Sequence, residues 1–368
     1  MIRRSLAVFL IAASATLCFA QEQPKIHPPK LTVQNSGTTQ LLIAVTPVDS
    51  RVVWAAGTGG TFVLTTDGGK HWKAGVVPGA EKLQFRDVQG VSDKIAYLMS
   101  IGNNPTDFRI YKTVDGGATW TVEFTNHNKK AFYDCFSFWT PDRGIAHSDS
   151  VNGVFPDLRT TNGMTWKSIS ANMPPALPGE ASFSSSGTCV ATQGRRHAWI
   201  ATGGSKIARI LATRDGGDSW NAYDTPLVSN PTAGAFTVSF RDPEHGIVGG
   251  GDLNQKDPNK ARTATSGDGG KTWQFTSKPP VKGAIFCLSY ARSVAFGDAG
   301  EDHGFGRVVV ITAETAPNFT SGAAAWSPDE GNTWFKLKHV SGYWAVAFAN
   351  PKAGWFVGNK GHILKISF

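Results

Sequence analysis

The chain is poor in cysteine, in paired histidines, in tyrosine and in long apolar runs, and each shortage removes a class of function. It has four cysteines in 368 residues, Cys18, Cys135, Cys189 and Cys287. Cys18 falls in an N-terminal leader, and the three that remain are an odd number, which argues against a disulfide framework. They stand in strand-like phrases, AFYDCFSF, SSGTCVAT and GAIFCLSY, with Cys135 and Cys287 three residues before an aromatic, Phe138 and Tyr290. Thr237 holds the same place before Phe240. A small residue is wanted there, where neighbouring sheets converge, and the expectation is buried thiols; a Cys135–Cys189 bridge, the minority alternative, needs Cα atoms within about 7 Å. The nine histidines include no H-x-H or H-x-x-x-H spacing, so no metal site and no cofactor are expected. Only 17% of residues are charged, and after the leader the adjacent basic pairs are Lys129-Lys130 and Arg195-Arg196. That is no basic stripe, and nucleic acid is not an expected partner.

No stretch reaches eighteen uninterrupted apolar residues, so no transmembrane segment is predicted. The longest apolar run, Leu6 to Leu17, follows Arg3 and Arg4 and precedes Cys18-Phe19-Ala20. This is the layout of a secretory signal over residues 1–20, with cleavage near Ala20 and a periplasmic or secreted product. Its removal takes the formal charge from +8 to +6. Residues 21–30 read as a tether, and 31–368 as a single domain acting as a monomer.

What the chain has in plenty is one repeated phrase ending in tryptophan: TTDGGKHW, TVDGGATW, TTNGMTW, TRDGGDSW, SGDGGKTW and SPDEGNTW. The tryptophans are Trp72, Trp120, Trp166, Trp220, Trp273 and Trp334, at steps of 48, 46, 54, 53 and 61 residues. A fixed period of this length marks a supersecondary unit used repeatedly. In the cleanest copy, LQFRDVQGV, KIAYLMSIG, DFRIYKTVD and ATWTVEFT are short runs of β-branched and aromatic residues separated by turn signals, which predicts four strands joined by hairpins. A second phrase, F-x-x-P-x-x-G, begins at Phe138, Phe240 and Phe348 and reads as the hairpin between first and second strands. After the sixth unit, YWAVAFA, GWFVGN and HILKISF supply three more strands, and LTVQN, residues 31–35, can complete their sheet. The predicted fold is all-β, a closed seven-bladed propeller with N- and C-terminal strands sharing the last blade.

Within each phrase the acidic residue can cap the backbone of its own turn. The residues in question are Asp67, Asp115, Asn162, Asp215, Asp268 and Asp329, each followed by its tryptophan. DGG lacks the alternating ligands of a calcium loop, and six sites spread round a ring cannot converge on one substrate, so these are structural. In the third copy Asn162 replaces the aspartate and one residue is missing, which predicts a looser turn.

The phrase resembles the Asp-box of the BNR repeat, found in sialidases and in seven-bladed propellers related to the photosystem II assembly and stability factor. The resemblance covers nearly all of the chain after the leader, and it implies boxes on the outer hairpins with the working site on the opposite face. Sialidase chemistry would further need three arginines, an acid aspartate and a tyrosine activated by glutamate. The nearest match to the family's Phe-Arg-Ile-Pro phrase is Phe108-Arg109-Ile110-Tyr111, with tyrosine for proline and in a different strand.

The inner strands and the mouth opposite the boxes are predicted to carry Arg86 and Asp87, Asp149, Glu180 in a long loop from Met173 to Ser186, Arg241 with Asp242, and Asp252. Converging loops at one mouth of a propeller can gather such groups around the axis. The expectation is a non-catalytic exported scaffold that binds a protein or small ligand through Arg86, Asp87, Asp149, Glu180, Arg241 and Asp252. The alternative is a sialidase-like glycoside hydrolase or polysaccharide lyase, with two of Asp149, Glu180 and Asp252 as acid and base.

Overall fold

A computed structural model describes residues 27–254, 261–292, 306–315 and 322–368. The proposed leader and the first part of the tether lie outside the described residues. Each predicted unit is a four-stranded antiparallel sheet, and the sheets in chain order are blades 1 to 6, over 42–76, 84–125, 133–168, 190–224, 233–275 and 284–337. Blade 7 takes Tyr343–Asn350, Ala353–Gly358 and His362–Ser367 from the end of the chain and Lys30–Asn35 from its beginning. That fourth strand pairs antiparallel with His362–Ser367, Leu31 opposite Ile366 and Asn35 opposite His362. The ring is closed as the sequence predicts, with the N-terminal strand covering the outer edge of His362–Ser367.

The F-x-x-P-x-x-G phrases turn between first and second strands because the aromatic lies flat on the glycine opposite it. Phe138 pairs with Gly144, Phe240 with Gly246 and Phe348 with Gly354, and a Cβ at Gly144 would stand 2.8 Å from the Phe138 ring. The tryptophan phrases turn between third and fourth strands, at the same end of the ring. Asp115 Oδ1 accepts from the Thr119 N–H at 2.9 Å and the Thr113 hydroxyl at 2.8 Å, and the Thr119 hydroxyl donates to Oδ2 at 2.5 Å. Gly117 has φ +81°, and a Cβ there would strike the Phe62 ring of the preceding blade. Trp120 packs edge-on against Phe62 and Trp54 of that blade, with centroids 5.2 and 6.3 Å away. Each phrase therefore staples its own turn and fills a seam.

The shorter third turn is less loose than the sequence suggests. Asn162 Oδ1 accepts from the N–H groups of Met164 and Thr165 at 3.0 and 2.8 Å, as the aspartates do elsewhere.

The cysteine expectation needs correction. Cys135 and Cys189 are joined by a disulfide, with Cα atoms 6.0 Å apart. Cys135 is in the innermost strand of blade 3 and Cys189 immediately precedes that of blade 4, where the strands converge on the axis, and that convergence brings them within bonding reach. Cys287 is a buried thiol, as expected.

Candidate functional site

Six innermost strands carry a β-bulge near their starting end, and the irregularity falls at Ile43, Arg86, Asp134, Phe236, Phe286 and Trp344. A bulge adds a residue without a partner and re-aims its side chain. Five of these six side chains line one open cavity of about 360 Å³ at the mouth opposite the boxes. Ile43 packs in the same apolar cluster as Phe236, Phe286 and Trp344. The repeat thus places one chosen side chain per blade around the axis, whatever its chemistry.

Blade 4 contributes differently. Its first strand, Val190–Gln193, is short, and the long connection before it runs into the channel. The Ser185 and Ser186 hydroxyls donate to the Phe286 carbonyl in blade 6 at 2.9 and 2.7 Å, and an Arg86 guanidinium N–H from blade 2 donates to the Ser184 carbonyl at 3.2 Å. Residues 182–185 form the floor of the mouth cavity, while Ser186, Gly187 and Thr188 face a smaller space of about 150 Å³ beneath it. Small hydroxyl residues suit this crossing, since bulkier side chains at Ser184 and Ser185 would fill the cavity they floor.

The wall has two halves. Phe183 stacks on Phe236 at 3.9 Å, Phe236 meets Phe286 at 6.2 Å, Phe286 meets Trp344 at 5.4 Å, and the Arg86 guanidinium lies 5.8 Å from the Trp344 ring centre. Beyond Arg86 the wall is acidic. Asp134 is buried, and its carboxyl hydrogen-bonds that of Asp149, whose other contact is the Ser182 N–H at 2.9 Å. Burial raises both carboxyls above the usual range; the Asp149 charge raises Asp134 further and Arg86 opposes it. Two carboxyls in contact share a proton, because both cannot ionise at that distance. Burial likewise lowers the Arg86 guanidinium, and the Asp134 charge pulls it back.

The other residues predicted from sequence fall elsewhere. Asp87 follows the bulge and is turned under the floor, where its carboxylate accepts from the N–H groups of Val88 and Phe136 at 2.7 and 2.8 Å. Glu180 is not at the surface of the mouth: its buried carboxylate forms an ion pair with Arg209 and accepts from the Thr202 hydroxyl. Asp252 lies outside the cavity lining and is held by Asn230 and Thr232. Arg241 and Asp242 are at the opposite end of the ring, past the end of their strand, where Arg241 pairs with Glu330 at 2.7 Å in the sixth tryptophan phrase. Of the expected set, only Arg86 and Asp149 meet at the cavity.

No protein-family model matches the chain. Among curated proteins it is similar to the chloroplastic photosystem II stability/assembly factor HCF136 of Cyanidioschyzon merolae, 24% identical over 233 residues, which cover 59% of this chain and 50% of that protein. The chain spans about half the length of the curated relative it matches. Among solved structures, YCF48 bound to D1 peptide superposes with a TM-score of 0.62 at 16% identity, over 94% of this chain and 98% of that one. YCF48 from Cyanidioschyzon merolae gives 0.58 at 15%, over 92% and 98%. The chain is a seven-bladed propeller similar to the photosystem II stability/assembly factor. The fold extends to glycoside hydrolases: the GH74 xyloglucanase from Xanthomonas campestris gives a TM-score of 0.57 at 14% identity, over 91% of this chain and 53% of that one. At these identities the solved structures establish architecture alone.

Of the three carboxyls named for the hydrolase alternative, Asp149 alone lines the cavity. A glycosidase needs carboxyls about 5 to 9.5 Å apart across an open pocket. Asp149 is instead in hydrogen-bond contact with Asp134, and Glu180 is enclosed with Arg209. The chain does hold a tyrosine–glutamate pair that sequence reasoning missed, Tyr290 donating to Glu330 at 2.9 Å, but the ring is buried and lies with Arg241 at the box end. The more important omission is Asp134. Its signal was present: it stands immediately before Cys135, as Phe236 stands before Thr237 and Phe286 before Cys287.

Proposed function

We propose that this chain is an exported, non-catalytic binding or assembly propeller, working as a single copy, whose mouth cavity receives a segment of a partner protein. The observation that carries the reading is the convergence of bulged side chains from several blades on one open, mixed apolar and charged cavity. A related fold, YCF48, has been solved with a D1 peptide bound, which supports a protein segment as the kind of ligand. Export is supported by the apolar leader after Arg3 and Arg4 and by the Cys135–Cys189 disulfide, a linkage that persists in oxidising compartments. Among the described residues no helix is long and apolar enough to cross a membrane.

The test is capture of partners from a native envelope extract, followed by mass spectrometry. Ser184→Phe, which fills the cavity from its floor, is expected to lose the partner retained by the wild type. Arg241→Ala, at the opposite end of the ring, is expected to retain it. Equal recovery with Ser184→Phe would remove the cavity from the interaction.

A further inference from the structure

The mouth cavity is short of hydrogen-bond donors on its acidic side. Among the described residues no N–H or O–H group reaches the buried Asp134 Oδ2, and Asp149 receives one backbone N–H, from Ser182. Arg86 is the only cation among the described lining residues; its Nε is buried with no partner among the described residues, and its two terminal nitrogens are engaged away from the carboxyls. One of its terminal nitrogens is held by the Ser184 carbonyl and the other by the Gln84 side chain, with the guanidinium set over Trp344. Two carboxyls against one guanidinium leave one negative charge to be covered when both carboxyls ionise. The opposite wall is four aromatic rings with Leu253, which suit an apolar stem and attract a cation by their faces.

We propose that the cavity takes a primary ammonium on an apolar stem, as a lysine side chain presents one, with the head at Asp134 and Asp149 and the stem between Phe183, Phe236, Phe286 and Trp344. The proposal rests on the cavity being the binding site and adds the chemistry of what enters. The ammonium supplies the three donors the carboxyl pair lacks and replaces the proton the pair shares, which leaves to solvent as the ligand binds. Binding therefore strengthens as pH rises through the titration of the pair. The charged and titratable groups that face this pair are Arg86 from blade 2 and His147 and Asp157 from blade 3.

The probes are hexylammonium, hexanoate and 1-hexanol, which share a stem and differ in the head, measured by calorimetry against the full chain in two buffers of different ionisation enthalpy. Hexylammonium is expected to bind best and to release protons. Its affinity is expected to fall about ten-fold in Asp149→Asn, the loss of one charged partner, and to vanish in Ser184→Phe. Asp149→Asn is the deciding variant because Asp149 is only partly buried, unlike Asp134, and the substitution leaves the cavity its volume. Tighter binding of hexanoate, or hexylammonium bound equally by Asp149→Asn, overturns the ammonium while leaving the cavity as a site. Binding of all three probes unchanged by Ser184→Phe, or of none, removes the cavity as the receptor of a side chain and takes the ammonium with it.

Discussion

At the scale of single residues, the seams between blades depend on side chains that accept a neighbour's backbone N–H. Asp87 accepts from Phe136, Cys135 Sγ from Cys189, Thr237 Oγ1 from Leu288 and Cys287 Sγ from Val346, at 2.8, 3.3, 3.2 and 3.3 Å. Each donor lies in the next blade's innermost strand, or just before it, on an edge that faces the channel and has no further strand to pair with. Thr237→Val keeps the shape and deletes the acceptor, so the buried Leu288 N–H is left unsatisfied, at a cost of about 1–3 kcal/mol. Thr237→Ser keeps the oxygen and is expected to cost less. Urea unfolding midpoints check this, and a valine variant as stable as the wild type would show that the bond contributes nothing. The sequence displayed the small residue at this place but not its task, because the partner is a backbone group roughly one repeat away. The same distance hid the disulfide. Arg241 was misplaced for a different reason: FRD occurs twice, but Arg86 is inside its strand near the starting end, whereas Arg241 is past the far end of its own. Three identical letters at different registers face opposite mouths.

At the scale of the hairpin, the tryptophan phrase was legible almost whole, since its hydrogen bonds close within a few residues. Asp115 is held down to about 2, chiefly by the Thr119 hydroxyl and then by the Thr119 N–H and the Thr113 hydroxyl. An unfolded aspartate titrates near about 3.9, so the folded value is depressed. The stabilisation is therefore complete above about pH 4 and is lost as pH falls through about 2. Asp115→Asn keeps the Oδ1 acceptor, as Asn162 does in the third unit, and has no charge to lose. Melting curves between pH 2 and 5 are expected to show a shallower acid decline for Asp115→Asn than for the wild type. Parallel declines would place the acid sensitivity elsewhere. The sixth phrase shows what the pattern alone conceals: Glu330 stands where other copies have glycine, takes φ +55°, and binds Arg241 and Arg307 across the box face.

At the scale of the whole molecule, the cavity exists because seven sheets are held round one axis, and they are held by the shared last blade. Gln34 in the closing strand shows how both sides are tied. Its Oε1 accepts from the indole N–H of Trp355 in blade 7 at 3.2 Å and of Trp72 in blade 1 at 3.1 Å, while its amide donates to the Gly68 carbonyl at 3.3 Å. The number of blades and the manner of closure were readable from the missing fourth strand after Phe368 and the spare LTVQN before the first unit. The identity of the cavity was not, since it depends on bulges, which interrupt the alternation that sequence periodicity relies on. Thr32 stands directly opposite Lys365 in the closing pair, on one face of the sheet. The most direct test is a Thr32→Cys, Lys365→Cys double variant, oxidised and mapped by proteolysis and mass spectrometry. A 32–365 disulfide formed in the folded chain is the expected result; free thiols at both positions in a chain that still folds would contradict the closed ring and the cavity it encircles.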